Sequence, residues 1–318
     1  MSVPLLDLEP AAHDDAKEIV VGLSRDPKEI PPKYFYDEAG SHLFEEICEQ
    51  PEYYPTRTEI GIMRENIDEI AQLIGPEASI IEFGSGASVK TRYLLEHVPD
   101  LAAYVPVDIS REHLTAAADA LAKEFPDIEV LPVCADFTQP FDLPTPARMP
   151  DRNIVYFPGS TIGNFSTKQA IDLMKVMRSQ AKDDGALLIG VDLEKPATVL
   201  ERAYNDAAGV TSEFNLNLLT RLNREHDANF ELDAFEHSAV YDSEHRRIEM
   251  RLISLDSQSV NVAGKNFDFD EGEYIVTEHS HKYSLERFAA IAAEAGFDQR
   301  RCWTDANNLF SVQYLVAA

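Results

Sequence analysis

From about residue 79 onward, short runs of β-branched and aromatic residues alternate with stretches whose apolar positions recur at helical spacing. The first run, Ser79-Ile80-Ile81-Glu82-Phe83, is stopped by Gly84-Ser85-Gly86, and a helix is predicted over 89–97. Residues 104–108 read as a second strand. Residues 111–124 read as a second helix, in which Leu114, Ala118 and Leu121 fall at i, i+4 and i+7. Further strands are predicted over 128–133, 153–157 and 186–193, the second of these leading into Pro158-Gly159-Ser160-Thr161-Ile162-Gly163-Asn164. Strands and helices in this order build a parallel sheet covered by helices.

After Leu193 the pattern changes. A helix over 198–206 is followed by apolar and polar residues alternating through 230–283, the signature of antiparallel strands in a separate, smaller layer. A helix over 284–295 and strands over 299–303 and 309–316 then return to the first sheet. The predicted fold class is α/β with a second, smaller α+β domain. The boundaries are 57–194 plus 284–318 for the sheet domain and 1–56 plus 195–283 for the other. No low-complexity linker separates them, so the middle segment reads as an insertion.

Composition narrows the function. The 318 residues are 44% hydrophobic and 26% charged, enough for packed domains and unlike a disordered chain. Lys and Arg number 28 against 56 Asp and Glu, so the net charge of −28 repels nucleic acid and anionic membrane surfaces and reads as a solvated acidic exterior. Cys48, Cys134 and Cys302 stand far apart with no CxxC spacing, which points to a reducing compartment without disulfides or structural zinc. The histidines are scattered. His279 and His281 have strand spacing but no accompanying ligand set, so no metal is expected. No signal-like segment and no apolar run of about 18 residues is present, and a cytoplasmic monomer is the expectation.

The glycine turn 84–86 lies between a strand and a helix, where nucleotide-like cofactors approach the carboxyl ends of parallel strands. Alone it is weak evidence, because a tight turn has the same pattern. Asp108, ending the second strand, can accept from both hydroxyls of an adenosine ribose. Asp136 can accept from the adenine amine and Phe137 can pack on its ring, although an exposed carboxylate beside a core aromatic would look the same. The stretch Gly84-Ser85-Gly86-Ala87-Ser88-Val89-Lys90 is not GxGxxG, which favours a sulfonium nucleoside over a nicotinamide dinucleotide.

Several long motifs carry a resemblance. They are Pro51-Glu52-Tyr53-Tyr54-Pro55-Thr56-Arg57-Thr58-Glu59, Glu82-Phe83-Gly84-Ser85-Gly86, residues 159–164, residues 203–211, Arg247-Ile248-Glu249-Met250 and Glu278-His279-Ser280. Over essentially the whole chain the sequence resembles the histidine-specific Nα-methyltransferases of ergothioneine biosynthesis. The resemblance implies a Rossmann-like methyltransferase sheet that uses S-adenosylmethionine and releases S-adenosylhomocysteine, with the amino acid held between two domains. It implies cofactor roles for Gly84, Lys90, Asp108, Asp136 and Phe137. It also implies histidine-binding roles for Tyr53, Asn164, Tyr204, Glu278 and Ser280, with Tyr36 and Met250 lining the substrate pocket.

The implied reaction methylates the α-amino group of free L-histidine, to the trimethylated betaine hercynine. Methyl transfer from a sulfonium is an in-line displacement in which positioning dominates. Glu278 can accept from an imidazole N–H and Ser280 can bond the other ring nitrogen, which disfavours an indole substrate. His279 and His281 fall on the opposite strand face and receive no role. Tyr36 or ordered water is the candidate proton acceptor; a phenol with a pKa of about 10 is a poor base at neutral pH, so the base stays unassigned. Another amino acid such as tryptophan, or a non-catalytic cofactor-binding module, are the alternative readings.

Overall fold

The computed structural model describes residues 3–8, 15–85 and 89–318; Gly86 of the glycine turn and His13 lie outside them. The chain divides into two compact units, Met1–Ala11 with Thr58–Leu193 and Tyr283–Ala318, and Ala12–Arg57 with Glu194–Lys282.

The first unit is built on a nine-stranded sheet. Its order is Leu6–Asp7, Val133–Cys134, Ala103–Asp108, Ala78–Phe83, Arg152–Phe157, Ala186–Asp192, Phe310–Ala317, Phe297–Thr304, with Glu129–Val130 pairing beside Ala103–Asp108. All pairings are parallel except those of the last two strands, which are antiparallel. All six positions of Ala78–Phe83 and all seven of Ala186–Asp192 are buried, as strands covered on both faces require. Alternate residues feed opposite faces. Ile81, Val105 and Val155 pack with Met174 and Phe288, whereas Ile80, Tyr104 and Ile154 pack with Ile70 and Leu94. The chain moves outward from Ala78–Phe83 to one side and later returns to its other side. Open α/β sheets bind ligands where the order reverses in this way, beyond the carboxyl ends of the central strands.

Two expectations change here. The strand predicted over 128–133 is split into Glu129–Val130 and Val133–Cys134, with Pro132, which has no N–H to offer a ladder, in the gap. Leu6–Asp7, assigned by sequence to the smaller domain, pairs in parallel with Val133–Cys134 and so belongs to the sheet.

The second unit has a four-stranded sheet ordered Lys28–Glu29, Tyr274–His281, Arg247–Ser254, Phe235–Asp242, and a hairpin of Gln258–Val262 with Lys265–Phe269. Only Lys28–Glu29 pairs in parallel. Around them lie helices Asp15–Leu23, Glu38–Glu49, Ala197–Ala203 and Val210–Glu225. Asp37 caps Glu38–Glu49 by accepting from Gly40 N at 2.8 Å, and also accepts from Asn217 and Arg224 of Val210–Glu225. The helix predicted over 198–206 stops at Ala203, because Asp206 instead accepts from Val210 N and Thr211 N at the start of the next helix. That next helix buries Val210, Phe214, Leu218 and Leu222 along one stripe and is absent from the sequence reading.

Candidate active site

In the first unit, register places the cofactor candidates at one end of adjacent strands. Phe83 lies opposite Val107, and Asp108 opposite Cys134. Gly84 N donates to the Val107 carbonyl at 2.9 Å, and Ala135 N to that of Asp108 at 3.0 Å. Gly84 has a φ of +70°, open to glycine at no steric cost, and a Cβ there would sit 3.6 Å from the Phe137 ring. Asp108 and Asp136 are both half-buried. Asp108 Oδ1 accepts from Ser110 N at 2.9 Å, and Asp136 Oδ1 accepts from Thr138 N at 2.9 Å, so each carboxylate is held by its own turn. Ser85 is 3% exposed, and its hydroxyl has no hydrogen-bond partner among the described residues. A buried orphan hydroxyl beside a positive-φ glycine, two strand-end carboxylates and an aromatic face fits an adenosine-bearing ligand.

Lys90 Nζ pairs at 2.7 Å with Glu59, which is 1% exposed, and Glu59 also accepts from Gly159 N at 2.9 Å. Gly159 has a φ of +78°, and a Cβ there would lie 3.4 Å from Lys90 Nζ. Glu59 therefore neutralises Lys90 and anchors the loop that leads into the turn Thr161–Asn164, at whose end the half-buried Asn164 lies. Glu82, within the glycine motif, is fully buried and accepts from Thr91 at 2.7 Å and Tyr104 at 2.5 Å; burial pushes its carboxyl up to about 7.

In the second unit, the strand Tyr274–His281 meets Arg247–Ser254 with Glu278 opposite Met250 and Ser280 opposite Ile248, and the register shifts beside this point so that Thr277 bulges. Glu278, Ser280 and Met250 therefore share one face. Glu249 and His279 share the other, with His279 Nε2 lying 3.3 Å from a Glu249 carboxylate oxygen. Burial pushes the half-exposed Glu278 carboxyl up to about 7, against the pull of the Lys282 ammonium. Tyr204 caps the end of Ala197–Ala203, and its Oη lies 2.9 Å from Ser280 Oγ. Tyr53 is nearly buried, its ring edge-on to Tyr204 at 6.1 Å and to Phe44 at 6.3 Å. Burial raises its hydroxyl well above the usual phenol range, with the nearby Tyr204 adding to the effect. Tyr36 is 43% exposed and stands edge-on to Phe44 and Phe214. Tyr36, Tyr53, Tyr204 and Phe44 thus form a wall of aromatic rings.

Sequence reasoning missed two side chains in these places. Lys282 is fully buried and donates to Ser280 and Tyr204. The period of two that joins residues 278 and 280 extends to it, which is the signal that could have found it. Asn215, also fully buried, donates to His237 Nδ1 at 2.9 Å, leaving His237 Nε2–H to donate to the Tyr204 carbonyl at 2.8 Å, and accepts from Thr277 at 2.8 Å. Burial lowers the His237 pKa, consistent with that neutral tautomer. This chain ties the strand bulge to the backbone of Tyr204, and no local sequence pattern encodes it.

A family described as histidine-specific, S-adenosylmethionine-dependent methyltransferase matches residues 15–317. The chain is 41% identical over 318 residues to the histidine N-alpha-methyltransferase of Mycolicibacterium smegmatis, spanning 98% of this chain and 97% of that protein. Against the protein of the same name from Mycobacterium tuberculosis it is 40% identical over 294 residues, spanning 91% and 90%. Against ergothioneine biosynthesis protein 1 of Neurospora crassa it is 31% identical over 288 residues, spanning 88% of this chain and 32% of that protein. With 303 consecutive residues, 15 through 317, inside the family match, this chain belongs to the histidine-specific, S-adenosylmethionine-dependent methyltransferases.

Proposed function

We propose that the protein methylates the α-amino nitrogen of free L-histidine three times, giving the trimethylated betaine of the first step of ergothioneine biosynthesis, as a cytoplasmic monomer. The observation that carries this reading is the placement of Glu278 and Ser280 on one strand face beside Met250, among the rings of Tyr53 and Tyr204.

S-adenosylmethionine supplies the methyl group from its sulfonium. Gly84 and Ser85 offer backbone room and a buried hydroxyl to that donor, Asp108 accepts from its ribose hydroxyls, and Asp136 and Phe137 take the adenine edge and face. Lys90 acts with its charge offset by Glu59, which keeps an unpaired cation away from a cationic sulfonium. Asn164 bonds the backbone end of the amino acid. Glu278 accepts from the imidazole N–H and Ser280 bonds the other ring nitrogen. Tyr36 or an ordered water is our candidate for taking the proton from the α-ammonium. Each transfer to a neutral amine leaves a singly charged ammonium and a neutral thioether, and the negative faces of the aromatic rings accommodate that cation up to the quaternary product.

Mass spectrometry of purified protein with S-adenosylmethionine and L-histidine tests the reading. One, two and then three added methyl groups on histidine support it. A folded protein that binds the donor and leaves histidine unmodified overturns it.

A further inference from the structure

Lys282 ends the segment that carries Glu278 and Ser280. Its ammonium lies 2.8 Å from Ser280 Oγ and 3.1 Å from Tyr204 Oη, with those two oxygens 2.9 Å apart. Its nitrogen also stands 5.0 Å from the centre of the Tyr204 ring. An ammonium has three donors and no acceptor. Both hydroxyl oxygens must therefore accept from Lys282, and neither hydroxyl hydrogen points at it. The contact between Ser280 and Tyr204 uses one of their two hydrogens. The other is directed out of the triangle.

We propose that Lys282 is a positioning residue that makes the Ser280–Tyr204 hydroxyl pair a hydrogen-bond donor to the unprotonated ring nitrogen of histidine, opposite Glu278 as acceptor of the ring N–H. The inference rests on the histidine reading above and deepens it. Either hydroxyl can donate across the 2.9 Å contact, and in the proposed arrangement Tyr204 is the donor, Ser280 accepts from both Tyr204 and Lys282, and the Ser280 hydrogen turns outward. One donor and one acceptor then face the ring, which matches a neutral imidazole in one tautomer. An imidazolium would set its second N–H against the Ser280 hydrogen, and a pyrrole ring would leave that hydrogen unpaired. Without the ammonium, both hydroxyls are free to turn inward and offer lone pairs, and the preference is lost.

A double-mutant cycle on the full-length enzyme tests this, using Lys282→Met, Ser280→Ala and the combination, with donor affinity and melting temperature measured alongside. Lys282→Met is expected to raise the KM for L-histidine about tenfold or more, with kcat changed less than about threefold and donor affinity unchanged. The combined variant is expected to be no worse than Ser280→Ala, because Lys282 acts through that hydroxyl. Multiplying effects, or a wild-type KM in Lys282→Met, overturn the proposal. If Ser280→Ala and Glu278→Gln both leave the histidine KM unchanged, the histidine reading itself fails. Should Lys282→Met melt too low for kinetics, wild-type enzyme can be titrated with the pyrrole isostere of L-histidine, in which a carbon replaces the unprotonated nitrogen. Binding weaker by about tenfold or more supports an outward donor, and equal binding overturns it.

Discussion

The two units place their chemistry by different means. In the sheet unit the candidates sit at strand ends, and much of what they offer is backbone: Gly84 at positive φ, Gly159 N bonded to Glu59, and carboxylates fixed by their own turns. In the other unit the same task falls to side chains from separate segments, with Tyr53, Tyr204, Glu278, Ser280 and Lys282 held by one another's rings and hydrogen bonds. A site made by topology can serve any adenosine-bearing donor. A site made by side chains can choose one ring. Substitutions at the ring-facing side chains of the second unit should therefore change which amino acid reacts, and those at the strand ends of the first should change how well the donor binds.

The largest effect is expected from Glu278→Leu, which removes the proposed acceptor for the ring N–H. Steady-state kinetics should show kcat/KM for histidine down about a hundredfold or more, while calorimetry shows donor affinity within about twofold of wild type. Loss of donor affinity in this variant would erase the division of labour. Gly84→Val tests the other side, since a β-branched residue at a φ of +70° is strained and meets the Phe137 ring. Donor affinity should fall about tenfold to a hundredfold, with the preference for histidine over other amino acids unchanged.

The pH profile supplies a third test. Burial raises the Glu278 carboxyl to about 7, so the ionised acceptor is present above that pH and is lost as pH falls through it. In wild type, kcat/KM for histidine should bend downward below about pH 7. The substrate's own titrations appear in every variant. The steeper acid limb of wild type relative to Glu278→Gln is therefore the part assigned to Glu278. Identical limbs would remove Glu278 from recognition. The smallest effect is expected from Ser166→Ala, which breaks the capping box with Gln169 at the start of Thr167–Ala181. Denaturant unfolding should show a loss of about 1 kcal/mol, with both affinities unchanged.

How far the sequence could be read follows the same division. The helix Val89–His97 and the helix Arg111–Glu124 agree with their predicted ranges, because local apolar periodicity and the glycine turn mark their limits. Asp108 and Asp136 could be picked out because each closes a β-rich run ahead of a helix or turn. Helix Val210–Glu225 was missed although its apolar spacing is regular; its Asp206 cap lies four residues upstream and reads as the end of the preceding helix. Glu278 and Ser280 looked like the solvated face of a strand until the family resemblance singled them out. Lys282 continues the period of two of Glu278 and Ser280, and only its contact with Tyr204, 78 positions away, is hidden in the sequence, as is the bond of Asn215 to Thr277, 62 positions away. Interactions across such distances leave no periodic trace.

The most direct test is a competition in which one reaction contains S-adenosylmethionine and all twenty proteinogenic amino acids at equal concentration, with every methylated product identified by mass spectrometry. The account predicts methyl groups on the α-nitrogen of histidine and on no other amino acid, and loss of that product with Glu278→Leu. Methylation of a different amino acid, or an unchanged histidine product from the variant, would contradict it.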